Sequence, residues 1–339
     1  MTTIKVGHSQ FQLFAYIFLV TAGIYFIGMR GVDVGSDTAV YFKYFDFVKY
    51  GDSFEGAERI EIGFYWLTKV ISYFTDSKNV YLSIIFLIQF IGTTSALYKK
   101  SETFKPYLLI ALIWLSYPFF YSITLNVIRQ GLAFVFVIYA IDAKLQNRKY
   151  SPYVLLLLGT LFHYATLLYM ICFIVLELKP KFIMLLWFWF LTVIFAFFGW
   201  IDEVIQSLLR MIIGDNQYYS SYLDSSINID YAVGFRIDFV IFSALPIAYY
   251  FLLKKYKSEN LNGFSFVFTL YLAMNIFYLC FASFPYSDRF ALASWLLIPL
   301  MIDLNFLRRI RMLRVFKQLI VCSSIMVFTY YLFFYIKVG

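Results

Sequence analysis

Histidine and cysteine are scarce in this 339-residue chain, two and three residues respectively, and that scarcity removes whole classes of chemistry. His8 and His163 are too few for a histidine-based zinc centre. Cys172, Cys280 and Cys322 lie far apart inside apolar segments and form no ligand spacing, so they read as packing residues. No metal and no cofactor is expected. Charge is also sparse: 14% of residues are charged while 62% are hydrophobic and 23% aromatic, where a soluble domain carries about 25% charge. The apolar stretches lack the polar/apolar alternation of an outer-membrane barrel. No internal repeat, low-complexity tract or soluble domain is visible among them. No small-x-small cleavage site follows the first apolar run, Phe11 to Met29, so it is expected to be a retained span.

What is present is an all-α polytopic membrane protein, with about nine to eleven transmembrane helices plus re-entrant segments, each crossing needing about 20 apolar residues. The whole chain, 1–339, reads as a single transmembrane domain. Its net charge of +8 does not point to nucleic acid, because most Lys and Arg sit in short loops, as the positive-inside rule requires. That rule also fixes the expected path. Lys99, Lys100, Lys105, Lys144, Arg148 and Lys149 fall on one side only if the segment at about 61–75 dips in and returns without crossing. Lys179 and Lys181 join them if the residues between Lys149 and Lys179, too few for two spans, form a broken re-entrant pair around Gly159 and His163-Tyr164. Full crossings are then expected at about 11–29, 80–98, 106–122, 127–143, 182–200, 237–253, 264–281, 290–306 and 317–336.

The outer face receives loops at about 30–61 and 201–235. In the first, a helix from about residue 33 would put Asp33, Asp37, Tyr41 and Tyr44 on one stripe lying on the membrane surface, broken by Gly51-Asp52-Ser53. Glu58, Glu61 and Tyr65 would share the next helix face. The second combines Asp202, Glu203, Arg210, Asp215, Asp224 and Asp230 with Tyr218, Tyr219, Tyr222 and Tyr231. Aromatic faces with carboxylates suit sugars, and they equally suit any solvated loop.

The chain is organised around Asn126-Val127-Ile128-Arg129-Gln130-Gly131-Leu132-Ala133. On a helix Asn126, Arg129, Gln130 and Ala133 share one face, which collects the polar groups. An arginine at membrane depth marks a wet cavity or an anion, although snorkelling to the interface is the other reading. On the expected path Arg30, Arg59, Arg129, Arg210, Arg236 and Arg289 all lie near the outer face, where the charge bias makes arginine unusual. Guanidinium binds phosphate in paired fashion, so several around one hollow would hold a diphosphate. Arg236 and Arg289 have local pairing with Asp238 and Asp288 as an alternative. Of the carboxylates, Asp37 or Glu61 would serve as general base. Asp37 could equally cap a helix, and Glu61 could pair with Arg59 or Arg129. His163 stands at a helix break and is either a structural group or exposed to a wet cavity.

Taken in order, Arg30 with Gly35, Asp37 and Tyr41, then Glu61-Ile62-Gly63-Phe64, then Asn126 to Ala133, then Phe162-His163-Tyr164 resemble the EpsG-like branch of the Wzy O-antigen and exopolysaccharide polymerases. The resemblance covers about residues 25–170 closely, and the remainder through hydropathy and the Arg236 and Arg289 positions. It implies a GT-C-like glycosyltransferase of the bacterial inner membrane, acting on undecaprenyl-diphosphate-linked oligosaccharide at the periplasmic face, in the lipid bilayer. It implies Asp37, Glu61, Arg129 and His163 as catalytic residues, with Arg30, Tyr41, Asn126, Gln130, Arg236 and Arg289 binding substrate. Association with a chain-length regulator is common among such polymerases. The rival readings are a flippase or transporter for the lipid-linked glycan, a ligase passing glycan to lipid A core, and a sugar acyltransferase.

Overall fold

A computed structural model describes residues 8–100, 107–213, 234–256, 262–302, 307 and 311–338. Among them there are helices and no strand. Two compact units result, one of residues 1–167 with 307–339 and one of residues 168–306.

The first unit begins with α1 (His8–Gly23), which runs into a π-helical turn, Ile24–Gly28. The surface helix expected from residue 33 starts later, as α2 (Thr38–Tyr50). Gly35 takes a left-handed φ of 83°, a conformation that interrupts any helix before Asp37. Asp33 therefore stays exposed in the preceding turn, while Tyr41 and Tyr44 are buried, so the four residues share no stripe. Gly51 ends the helix with φ 80°, the left-handed cap that glycine adopts without a Cβ penalty. A 3-10 turn, Ala57–Arg59, leads to α3 (Ile62–Phe74). Glu58 and Glu61 thus precede α3 and do not share a helix face with Tyr65. At 13 residues, α3 is about 20 Å long, too short to cross about 30 Å of hydrocarbon.

Then come α4 (Lys78–Lys100), α5 (Tyr107–Leu115), α6 (Pro118–Tyr121) with a second π-helical turn, Ser122–Asn126, and α7 (Ile128–Leu145). The crossing expected at 106–122 is not straight: its halves are bent by 81° at a break before Pro118, since proline cannot continue the ladder of the preceding helix. The core joins Tyr41, Tyr44, Phe45, Phe64, Tyr81, Ile128 and Leu132. α4 and α7 approach closely at Gly131, where an added Cβ would stand 2.7 Å from both the Gln89 amide nitrogen and the Ile123 carbonyl. Replacing Gly131 by alanine adds helix propensity worth about 1 kcal/mol and overpacking worth about 1–3 kcal/mol. The collision with a fixed backbone oxygen decides the sign, so Gly131→Ala should lower the melting temperature in detergent by several degrees, read by a thermal unfolding scan.

α8 (Ser151–Thr160) and α9 (Ala165–Glu177) flank a four-residue break holding His163, as the broken pair predicts. α15 (Leu313–Val338) lies against α5, its Ser323 and Ser324 hydroxyls donating to the Ser116 and Leu112 carbonyls at 3.3 Å.

The second unit holds α10 (Phe182–Phe197), α11 (Trp200–Ile213), α12 (Ile237–Tyr256), α13 (Asn262–Cys280) and α14 (Ser287–Trp295). Two expectations are corrected. The crossing at 182–200 turns through 93° at Gly199, whose φ is 72°, and its continuation is helical where a loop was expected. The crossing at 290–306 is broken: α14 stops at Trp295, and a 3-10 turn, Ile298–Met301, follows around Pro299. Asp215, Tyr218, Tyr219, Tyr222, Asp224, Asp230 and Tyr231, and Lys105, lie outside the described residues.

A polar knot holds this unit together. Asn275 accepts the Trp189 indole N–H at 2.7 Å and donates to the Ser243 and Ser294 hydroxyls at 3.0 and 2.8 Å. Trp295 donates to Ser243 at 2.9 Å, and Tyr271 to the Ser243 carbonyl at 2.9 Å. Between apolar helices such bonds supply the association that hydrophobicity cannot. By length and apolarity α12 is long enough to cross a membrane among the described residues, with up to three spans if each bent pair is one. Leu13–Gly28, Ser151–Thr160, Ala165–Glu177 and Ser265–Cys280 are shorter apolar helices of 10–17 residues.

Candidate active site

The site forms in the first unit where α7 begins. Val127, with φ −95° and ψ 56°, closes the π-helical turn and opens α7, so Arg129 sits in the first turn of a long helix. Its guanidinium pairs with the Glu61 carboxylate and donates to the Arg59 carbonyl at 3.3 Å. The Tyr41 phenol oxygen is a further partner of the guanidinium. Glu61 is 4% exposed and Arg129 24%, so the carboxylate is covered and the arginine is its wet side.

Each neighbour is placed by backbone. Glu61 stands at the N-cap of α3, yet its side chain caps nothing in its own helix and reaches to α7. Gly63 presses the start of α3 onto the α8–α9 break: its N–H donates to the Leu161 carbonyl at 2.7 Å, and a Cβ there would lie 2.6 Å from that oxygen. Tyr41 donates from α2 to the Asn126 carbonyl at 2.8 Å. The Asn126 side chain accepts the Ser36 N–H at 2.9 Å, and Gly35 has no Cβ to obstruct it: one would lie 2.8 Å from Asn126 Oδ1. Asp37, half-buried, occupies the N-cap position of α2 and accepts the Ser36 hydroxyl at 2.8 Å, without a side-chain cap bond. Gln130 is buried beside Arg129. His163 accepts the Ala165 N–H on Nδ1 at 3.1 Å, which puts the proton of the neutral ring on Nε2.

Arg30 has a different place. It is 1% exposed and donates from Nε to the Thr38 hydroxyl at 2.8 Å. Its other nitrogens donate to the Ile27, Thr124 and Leu125 carbonyls at 2.8, 3.3 and 3.1 Å. These oxygens belong to the two π-helical turns, so Arg30 ties the segments that carry Asn126. Arg59, whose backbone Arg129 holds, has an exposed side chain 3.7 Å from Glu58.

In the second unit Arg236 makes a two-point pair with Asp238, at 2.8 and 2.5 Å, and lies 4.2 Å over the Phe239 ring. Local pairing, the alternative reading, is what its geometry displays. Arg289 lies 4.7 Å over the ring of Tyr286, a residue with φ 61°. The Arg210 side chain lies outside the described set.

Sequence reasoning missed Gln89. It is fully buried in α4 and donates to the Ile128 carbonyl at 2.7 Å, supporting the turn before Arg129. The signal was available: an amide inside an apolar helix needs a partner.

The helices and their apolar length define a helical membrane protein. The family model for the EpsG family matches residues 13–338, nearly the whole chain, and the chain belongs to that family. Among curated proteins none matches, and among solved structures none does.

Proposed function

We infer that this chain is a GT-C-like polysaccharide polymerase of the bacterial inner membrane. It transfers a growing glycan from undecaprenyl diphosphate onto the nonreducing end of a lipid-linked repeat unit at the periplasmic face. The observation that carries this reading is the Arg129–Glu61 pair, a guanidinium partly open to solvent over a covered carboxylate at the start of α7. Family membership supports a polymerase-type role.

The pair supplies both halves of the reaction. A diphosphate carries more charge and more acceptor oxygens than one carboxylate, and guanidinium meets it in two-point fashion. Entering donor would take Arg129 and release Glu61. The N-terminus of α7 adds backbone N–H groups and a positive dipole end. As the bond between the anomeric carbon and the diphosphate oxygen breaks, its electrons pass to the leaving group, where Arg129 stabilises them. The acceptor hydroxyl oxygen forms the new bond to that carbon, and its proton passes to Glu61 or to Asp37. Tyr41 and Asn126 position the guanidinium and the 35–37 turn. His163, whose Nδ1 accepts from Ala165, would donate from Nε2 to a sugar or phosphate oxygen. In the second unit Arg289 and Arg236 would serve the lipid-linked partner, Arg236 by exchange with Asp238.

Purified protein in proteoliposomes with lipid-linked repeat units should give a ladder of longer glycans without any ion gradient, read on a gel. A single unchanged band would overturn the polymerase reading. Movement of the lipid across the bilayer without lengthening would assign a flippase instead.

A further inference from the structure

We propose that α11 is an in-plane interfacial helix, its face of Trp200, Val204, Leu208 and Met211 seated in the bilayer leaflet at the C-terminal end of α10. At 100° per residue these four side chains fall within about 80° of arc. All four are exposed, Met211 at 85%. Glu203 and Ser207, also exposed, fall on the adjacent arc. The third side turns to the protein: Ile201, Asp202 and Ile205 are partly covered, and Asp202 Oδ1 is buried. A helix with one protein face, one polar edge and one exposed apolar face has the three environments of a protein surface at the water–lipid boundary.

The occupant of the apolar face follows from continuity. α10 exposes Trp187, Phe188, Leu191 and Phe195, the surface of a helix in contact with acyl chains, and Gly199 then turns the chain through 93°. If α10 runs near the bilayer normal, α11 lies in the membrane plane. Its apolar face continues that of α10 through an aromatic corner, where Trp200 stacks on Phe198 at 4.9 Å and meets Phe195 edge-on at 5.6 Å. Tryptophan is enriched at this depth. The first turn of α11 is acidic, through Asp202 on the protein side and Glu203 on the polar edge, and Arg210 is the one basic residue in the helix. Attraction to anionic lipid therefore contributes little, and apolar burial holds the helix. Such a seat for α11 requires only a membrane protein and is independent of the reaction proposed above.

Depth-dependent quenching tests it on the full chain in phosphatidylcholine vesicles. Single cysteines are placed by Val204→Cys, Leu208→Cys, Met211→Cys, Glu203→Cys and Ser207→Cys in a Cys172→Ala, Cys280→Ala, Cys322→Ala background and labelled with bimane. Lipid quenchers near the headgroup should reduce emission about twofold or more at 204, 208 and 211, quenchers at the acyl end less, and positions 203 and 207 should change little. Equal response at all five positions, or stronger quenching from the acyl end, would overturn the proposal. So would quenching that appears only when phosphatidylglycerol is added. A photoactivatable lipid gives the same reading on the unsubstituted protein: adducts are expected on Trp200, Val204, Leu208 and Met211, and adducts absent there overturn the inference.

Discussion

Replacing Arg129 by lysine should stop chain growth while the protein remains in the membrane at normal amounts. Lysine preserves the positive charge facing Glu61, so the covered carboxylate keeps a counter-ion and the fold survives. What it loses is the planar fork: an ammonium is a point charge and cannot meet a diphosphate in two parallel bonds. Removing one well-aimed donor to a developing oxyanion costs about 10²–10³ in rate, enough to erase a ladder in the reconstitution assay. Alanine is the less informative change. It strands Glu61, at 4% exposure, without a partner, and an uncompensated buried charge costs about 3–5 kcal/mol. Arg129→Ala should thus lose membrane protein as well as activity, and Glu61→Gln introduced together with it should restore the amount but not the chain growth. Wild-type chain lengths from Arg129→Lys would assign the residue to holding Glu61 and the Arg59 turn alone.

This asymmetry between lysine and alanine could not be read from the sequence, because it depends on which partner is covered. The sequence does place an arginine, an amide and a glycine at the start of a helix, and it identifies Glu61 as a possible mate of Arg129, since opposite charges in an apolar chain have few alternatives. Helix breaks were legible where their chemistry is local: Gly51 ends α2, and the polar His163-Tyr164 pair separates α8 from α9. Breaks set by distant packing were not. Nothing in Phe197-Phe198-Gly199-Trp200 distinguishes a glycine tolerated inside a span from one turning the chain through 93°. Residues 24–28 and 122–126 give no periodic sign of π-helical turns, because one extra residue per turn shifts a pattern without erasing it. The charge bias singles out six arginines in the sequence and is silent on their tasks. Those tasks separate by partner: Arg129 holds a carboxylate, Arg236 holds its own neighbour Asp238, and Arg30 holds backbone.

Arg30→Ala should be the most damaging single change to stability in the first unit. Four of the five guanidinium donors a side chain can offer have acceptors there, three of them carbonyls at the ends of helical segments. Such carbonyls have no intrahelical partner, and each helix end carries roughly half a negative charge. Two ends thus offer about one full charge, which offsets that of the guanidinium. Alanine leaves those oxygens buried and unpaired at about 1–3 kcal/mol for each group, against a total stability of about 5–15 kcal/mol. Little Arg30→Ala protein should resist mild proteolysis, and what does should unfold at a markedly lower temperature in detergent. Arg30→Lys should fall between, since three donors on a flexible arm cannot reach both helix ends together. The contrast with Arg129 is the test of the two assignments: Arg30 variants should lose structure first and activity in proportion, Arg129→Lys should lose activity with structure intact. An Arg30→Ala protein with unchanged thermal unfolding and no chain growth would move Arg30 from the frame into the substrate site.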